Sequence, residues 1–446
     1  TFLLSHVWQG GRVFYFLAAD STAELNRREL LNELTTWSGR SLEPADYPTW
    51  RTIFRLFVEL ATDEPLVVVL DEFQYLLQGA DDVTSQLVAV WDREAGGRPL
   101  TLVLSGSEVG TMEGLLVGGQ PLFGRVNWST RLLPFDYRDA ARMMPDRPSR
   151  EAAIFYGIFG GTPRYLAAIG EGEPLDDAVV RTFLSPRGEV HLQLLTLIEQ
   201  ERGIRDPSEY RTVLSAVAAG RTEINEIAQA AGLGHQQHVV RRALGVLEKL
   251  ELVGRERNFE AAATAPYRHH IVDNAAAFWH RFVVPNRSRL AAGDPAEVWR
   301  KAVEPRLNEY MGSVFERIVA QAYTRLHVDW GLPAARTWAR WAGRDRNRRG
   351  IEIDIVARLD DDRLLTGEIK WSSAPRGFDL HHDLRRDLED LANSGQGWPH
   401  VARDGPFLYV SAAGFTDDFR HWAETDPRVH LHTLSDCYPA TSSRSG

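Results

Sequence analysis

A chain of 446 residues, 43% hydrophobic and 25% charged, is neither disordered nor fibrous and has room for about two to four domains. Its 51 basic and 61 acidic residues give a net charge of −10, so any nucleic-acid surface has to be a local patch. The single cysteine, Cys437, excludes a disulfide framework or a multi-thiolate zinc site, and no apolar run nears the roughly 18 residues that span a bilayer.

The opening TFLLSHVWQGG lacks the basic segment and long apolar core of a signal peptide. The expectation is a cytoplasmic protein without a membrane partner. Residues 13–19 read as a buried strand, 22–37 and 49–62 as helices, and 66–70 and 100–104 as two further apolar strands. Short apolar strands alternating with helices predict a parallel α/β sheet over residues 1–140. A helical lid is expected over 141–205, broken by Gly160-Gly161-Thr162-Pro163. Three helices near 208–219, 222–233 and 236–250, then a hairpin over 252–257 and 267–272, predict a winged helix-turn-helix at 206–275. A helical linker (276–310) leads to an α+β domain at 311–446.

Leu66–Leu70 followed by Asp71-Glu72 has the form of a Walker B strand. A strand buried on both faces delivers Asp71 to the carboxyl edge of a parallel sheet, where it can hold Mg²⁺ through water, and Glu72 can polarise the attacking water. The plainer reading is a core strand that ends in two acids. Ser105 and Ser107 close the next strand, where a hydroxyl can sense a γ-phosphate. Thr1 stands where the last residue of GxxxxGK[ST] would ligate Mg²⁺, with the glycine-rich loop and its lysine expected just before it. Without that loop, ATP binding is expected to be weak.

Helix 236–250 carries the apolar stripe Val240, Leu244, Leu247 and Leu250. His238, Arg241, Arg242 and Lys249 lie on its polar side, with Gln236 and Gln237 at its start, an arrangement compatible with DNA. Glu223, Glu248 and Glu251 dilute the patch, which suits a lid or spacer instead.

The C-terminal region holds the sharpest chemistry. Residues 351–358 and 364–370 alternate apolar with polar around Asp360–Asp362, a β-hairpin signal. Symmetry about Asp361 pairs Asp354 with Glu368 and Glu352 with Lys370. Opposed like charges are unfavourable unless they share a divalent metal. Lys370, two residues beyond Glu368, falls on the same face and can orient a water. Ile351, Ile353, Ile355 and Ile369 are expected to form the apolar opposite face. Upstream, 312–323 reads as an amphipathic helix with Glu316 beside Phe315, Val319 and Ala322. Arg336, Arg340, Arg344, Arg346, Arg348 and Arg349 crowd the approach to the hairpin, either as phosphate contacts or as a solvated loop.

LeuAspGluPheGlnTyrLeu (70–76), SerGlySerGluValGly (105–110), ProLeuPheGlyArg (121–125), GlyGlyThrProArgTyrLeu (160–166) and PheTrpHisArgPheValValPro (278–285) occur in the order of the archaeal-type ATPase family. The chain resembles that family, part of the AAA+/STAND group of P-loop NTPases, except that Walker A is absent from these residues. The resemblance implies ATP and Mg²⁺ as cofactors, a possible homo-oligomer, Arg125 as an arginine finger or phosphate-facing cation, and Arg164 as a nucleotide sensor. Glu316, Asp354 and Glu368-Ile369-Lys370 together resemble the PD-(D/E)XK nuclease fold. That likeness implies Asp354 and Glu368 as ligands of Mg²⁺ or Mn²⁺, Lys370 as the cation that orients water or phosphate, and Glu316 as an accessory carboxylate. Two functions remain open. One is an ATPase coupled to a nuclease-like domain acting on DNA. The other is a non-enzymatic nucleotide switch that binds DNA or protein.

Overall fold

The structure is a computed structural model that describes residues 2–8, 10–62, 64–78, 82–196 and 206–439. It divides into two compact units, 1–132 and 133–446. No helix among the described residues is long and apolar enough to cross a membrane.

In the first unit, β1 (Arg12–Leu17), β2 (Leu66–Asp71) and β3 (Leu100–Leu104) form a parallel sheet in the order β1-β2-β3. The expected strands are therefore present within two residues of their sequence bounds. Phe14, Phe16, Val68 and Leu70 bury their side chains among Leu30 and Leu34 of the helix Ala23–Ser38 and Ile53 and Phe57 of Trp50–Leu60. Thr22 caps the first helix by accepting from Leu25 N, and Thr49 with Thr52 forms a capping box on the second. Such a sheet leaves its functional edge at the carboxyl ends of the strands.

The second unit starts with short helices. Gly160-Gly161-Thr162-Pro163 makes the expected turn, and Gly161 O accepts from Phe135 N at 2.8 Å. Helices Pro207–Ala218, Ile224–Ala230 and Gln237–Lys249 precede an antiparallel pair, β4 (Val253–Glu256) and β5 (Arg268–Ile271). Val240, Leu244 and Leu247 are buried as the stripe required, whereas His238, Arg241, Arg242 and Lys249 are exposed.

The helix Glu304–Leu326 then lies against a five-stranded sheet made of β6 (Ala335–Arg344), β7 (Gly350–Leu359), β8 (Leu364–Lys370), β9 (Phe407–Ser411) and β10 (Val429–Thr433). The order is β10-β9-β8-β7-β6, with β6-β7-β8 antiparallel and β8-β9-β10 parallel. Phe315, Ile318 and Val319 of that helix share a core with Ile355, Ala357, Leu365 and Ile369. On the other face Ile351, Ile353, Val356 and Leu364 pack against Leu380, Leu384 and Leu388 of the helix Asp379–Asn393. The sheet is sandwiched, which is why β8 is buried along almost its whole length.

Gly367 lies where β8 and β9 crowd together. A Cβ there would stand 1.9 Å from the Leu408 carbonyl oxygen. The residue before Glu368 therefore has to be glycine.

Candidate functional site

In the first unit the carboxyl edge of the sheet gathers Asp71, Glu72, Ser105 and Ser107. Asp71 ends β2 and is buried. Its Oδ2 accepts from the Tyr15 hydroxyl at 2.6 Å, and its Oδ1 accepts from Ser105 Oγ at 2.5 Å and from Glu72 N at 3.1 Å. Tyr15 stands two residues before Leu17, the register partner of Asp71, and so lies on the same face of the neighbouring strand.

Glu72 has φ +54°, in the left-handed region, which turns the chain sharply out of the strand. Its Oε2 accepts from Ser107 Oγ at 2.8 Å and from Ser107 N at 3.3 Å. Gln74 Nε2 donates to the same Glu72 oxygen and to Ser107 Oγ, the latter at 3.2 Å. Gly106 gives Gln74 its room, because a Cβ there would fall 2.3 Å from Gln74 Oε1. Tyr15 and Gln74 carry no role in the sequence patterns above. Gln74 stood inside the LDEFQYL motif, whereas nothing in the sequence marked Tyr15.

Thr1 lies outside the described residues. Arg125 forms a fork with Asp92 (Nη2 to Oδ2 2.8 Å) and donates to Pro121 O at 3.0 Å. Arg164 belongs to the second unit, where it is exposed and pairs with Glu189 at 3.2 Å.

The second site is at the point where β7 and β8 diverge. The ladder follows the expected symmetry about Asp361: Arg358 pairs with Leu364, Ala357 with Leu365, Val356 with Thr366 and Ile355 with Gly367. There it stops. Asp354 Oδ2 takes the Ile369 N–H at 2.9 Å instead of a backbone carbonyl. Lys370 Nζ then bridges Asp354 Oδ2 at 2.8 Å and Glu368 Oε2 at 2.5 Å.

Two expectations are corrected here. Glu352 does not face Lys370, because it is paired with Arg340 of β6. The four isoleucines are all buried, but on two faces: Ile351 and Ile353 on one, Ile355 and Ile369 on the other. The cause is a β-bulge. Ala339 pairs with Val356 and Trp341 with Ile353, so β7 carries one residue more than β6 between these pairs. The extra residue breaks the period of two and re-aims Asp354.

Burial and then the Asp354 carboxylate push the Glu368 carboxyl up, to about 8, against the pull of Lys370. Burial alone would lower Lys370, but Glu368 and Asp354 more than reverse this and hold its ammonium above the ordinary lysine range. Glu316 is half-buried on the helix Glu304–Leu326. Its carboxyl is raised by burial and by Asp354, with Arg340 and Arg317 opposing. The lysine thus offsets part of the like-charge cost between Asp354 and Glu368, and the raised Glu368 carboxyl is what remains of it. Among the described residues no group of three or more His, Cys, Asp or Glu is arranged to hold a metal ion.

The arginine run is strand and tight turn. Arg336 pairs with Asp360 and Asp362, Arg340 with Glu352, and Arg349 with Asp345, Asp387 and Asp390.

Among solved structures, the chain is similar to the Walker-type ATPase PABY2304 of Pyrococcus abyssi at 20% identity and a TM-score of 0.43, covering 62% of this chain and 93% of that one. It is similar to the Aeropyrum pernix ORC2 protein at 14% identity and a TM-score of 0.32, covering 63% and 89%. Protein VC1899 from Vibrio cholerae aligns over 98% of this chain and 90% of its own at 11% identity, with a TM-score of 0.23. In sequence, the uncharacterized protein MJECL04 of Methanocaldococcus jannaschii is 27% identical over 337 residues, 73% of this chain and 71% of that protein. Residues 279–381 match the family DUF234, described as archaea bacterial proteins of unknown function, and that stretch contains Glu316, Asp354, Glu368 and Lys370.

Proposed function

We propose that the chain is a P-loop-type ATPase whose second unit carries a winged helix and a metal-dependent, PD-(D/E)XK-like site that cleaves DNA. The observation that carries this reading is the bridge of Lys370 Nζ between Asp354 and Glu368 at the mouth of a β-bulge. Two carboxylates and a lysine on adjoining strands are the groups that hydrolysis of a phosphodiester needs.

The oxygen-only donors Asp354 and Glu368 suit a hard ion such as Mg²⁺ or Mn²⁺. Such an ion, when bound, polarises the scissile phosphate and acidifies a water. Asp354 and Glu368 would hold it. Lys370, released from one carboxylate, would orient the attacking water or a phosphate oxygen. Glu316, whose carboxyl is raised, is placed to keep or take up a proton beside them.

In the first unit, Asp71 is buried, oriented through both oxygens, and set at the edge of a parallel sheet, which fits a carboxylate that holds the Mg²⁺ of MgATP through water. Glu72 is one residue on, tied to Ser107. The ATP state would then regulate the DNA-facing elements.

A second reading keeps the fold without turnover. It is favoured by one observation: the lysine ammonium is already hydrogen-bonded to both carboxyl groups, where an ion would sit. The two readings separate on Mn²⁺ binding, followed by the loss of the free-ion electron paramagnetic resonance signal. The cleaving site binds Mn²⁺ at millimolar concentration or below and loses it in Asp354→Asn. An unaltered signal with the parent protein favours the silent binding platform.

A further inference from the structure

Six arginines lie between Arg336 and Arg349, and carboxylates engage three of them. Among the described residues, Arg344, Arg346 and Arg348 are exposed with no carboxylate partner. Arg344 ends β6, Arg346 and Arg348 sit on the β6–β7 turn, and that turn is firmly fastened. Asp345 N donates to Arg349 O and Arg348 N to Asp345 O, each at 3.0 Å. Arg349 N donates to Asp345 Oδ1 at 2.8 Å, and Arg346 N to Ser394 Oγ at 3.0 Å. The Arg349 guanidinium ties the turn to Asp387 and Asp390 of the helix Asp379–Asn393. In a chain of net charge −10, this is a rigid cationic projection.

A second observation joins it to the β4–β5 hairpin. Asn258, two residues past β4, donates from Nδ2 to Ala342 O at 2.6 Å and accepts at Oδ1 from Ala342 N at 3.1 Å. Phe259 N donates to Arg340 O at 3.0 Å. The hairpin is therefore bonded along the edge of β6, two residues from Arg344. On it, Arg255 and Arg257 stack over the Tyr267 ring at 4.4 and 3.8 Å.

We infer that the β6–β7 turn and the β4–β5 hairpin form one composite surface that grips the phosphate backbone of duplex DNA. This inference rests on the proposed DNA-directed function and names the surface that would deliver the duplex. From the turn, β7 runs four residues from Gly350 to Asp354, about 13 Å of strand, over which duplex DNA presents ~8 phosphates. The span matches a duplex that lies on the turn and reaches the Asp354–Lys370 site. Planar guanidinium groups without carboxylate partners favour phosphate, which they can bind in a fork. The hairpin, being fastened to β6, adds Arg257 to the same track, while Arg255 is paired with Glu248 at 3.5 Å.

The test is fluorescence anisotropy of the full chain with a labelled duplex in EDTA across a salt series. The variant carries Arg344→Gln, Arg346→Gln and Arg348→Gln together. Losing three phosphate contacts lowers the slope of log affinity against log salt by about 2.7, so the affinity lost between about 50 and 200 mM salt shrinks roughly 40-fold. Arg336→Gln, at the far end of β6, leaves the slope unchanged. An unchanged slope in the triple variant, a parent that does not bind duplex, or equal competition by poly-glutamate each overturns the inference. Because no divalent ion is present, the outcome is independent of cleavage. A parent that binds with this slope but never cleaves removes the nuclease reading alone. A parent that cleaves while the triple variant keeps its slope removes the inference alone.

Discussion

Asp354 holds the backbone N–H of Ile369 at 2.9 Å, at the point where β7 and β8 cease to pair. A side chain replaces a backbone acceptor, and the strands part just enough to leave Lys370 between two carboxylates. The local geometry and the chemistry thus have one origin, the extra residue in β7.

The pH dependence of stability follows from Glu368. Its carboxyl is raised from 4.5 to about 8 in the folded state, so the stability this group contributes is full below the ordinary carboxyl range and is lost as pH climbs to about 8. Glu368→Gln cannot titrate. Denaturant unfolding of the variant should therefore fall less steeply with pH over that window, by at most roughly 1.4 kcal/mol per pH unit. Parallel curves for parent and variant would contradict the assignment.

Lys370→Ala leaves Asp354 and Glu368 facing each other without their shared cation. Breaking a buried ion pair is strongly destabilising, but the lysine is one-third exposed, so a loss of about 1–3 kcal/mol is expected in unfolding experiments without metal. Added Mn²⁺ should raise the melting temperature of this variant more than that of the parent, because the ion takes the place the ammonium held.

Gly367→Ala puts a methyl group against the Leu408 carbonyl, whose backbone oxygen and carbon would lie 1.9 and 2.9 Å away, with Ile355 Cδ1 at 3.2 Å, so the close contact is with backbone that cannot yield. A loss of at least about 2 kcal/mol is expected. Gly350→Ala, where a Cβ meets nothing within 4 Å, is the control and should be close to neutral.

In the first unit, Ser105→Ala removes the donor 2.5 Å from a buried carboxylate. The expected cost is about 1–3 kcal/mol, measured as a lower denaturation midpoint, with Tyr15→Phe having a similar effect through the other Asp71 oxygen.

Much of this was legible in the sequence. Apolar runs bounded by polar turns marked β1 to β3, because strands buried on both faces contain little else. The hairpin symmetry about Asp361 gave the register of β7 and β8. The bulge was not legible, since a strict alternation has no signal for one inserted residue, and so the isoleucines were assigned to one face and Glu352 to the wrong partner. The helix Glu304–Leu326 begins eight residues before the expected 312, inside the stretch read as a helical linker, and continues directly from the π-helical segment Trp299–Val303. In β6 the arginines hid a strand whose Trp338 and Trp341 pack on opposite faces of the sheet.

The most direct test of the central claim is nicking of supercoiled plasmid by the full chain with Mg²⁺ or Mn²⁺, beside Asp354→Asn, Glu368→Gln and Lys370→Ala. The account predicts metal-dependent nicking by the parent, abolished by EDTA and by each of the three substitutions, with Mn²⁺ binding lost in the two carboxylate variants and kept in Lys370→Ala. A parent that leaves the plasmid intact, or nicking that survives all three substitutions, would contradict it.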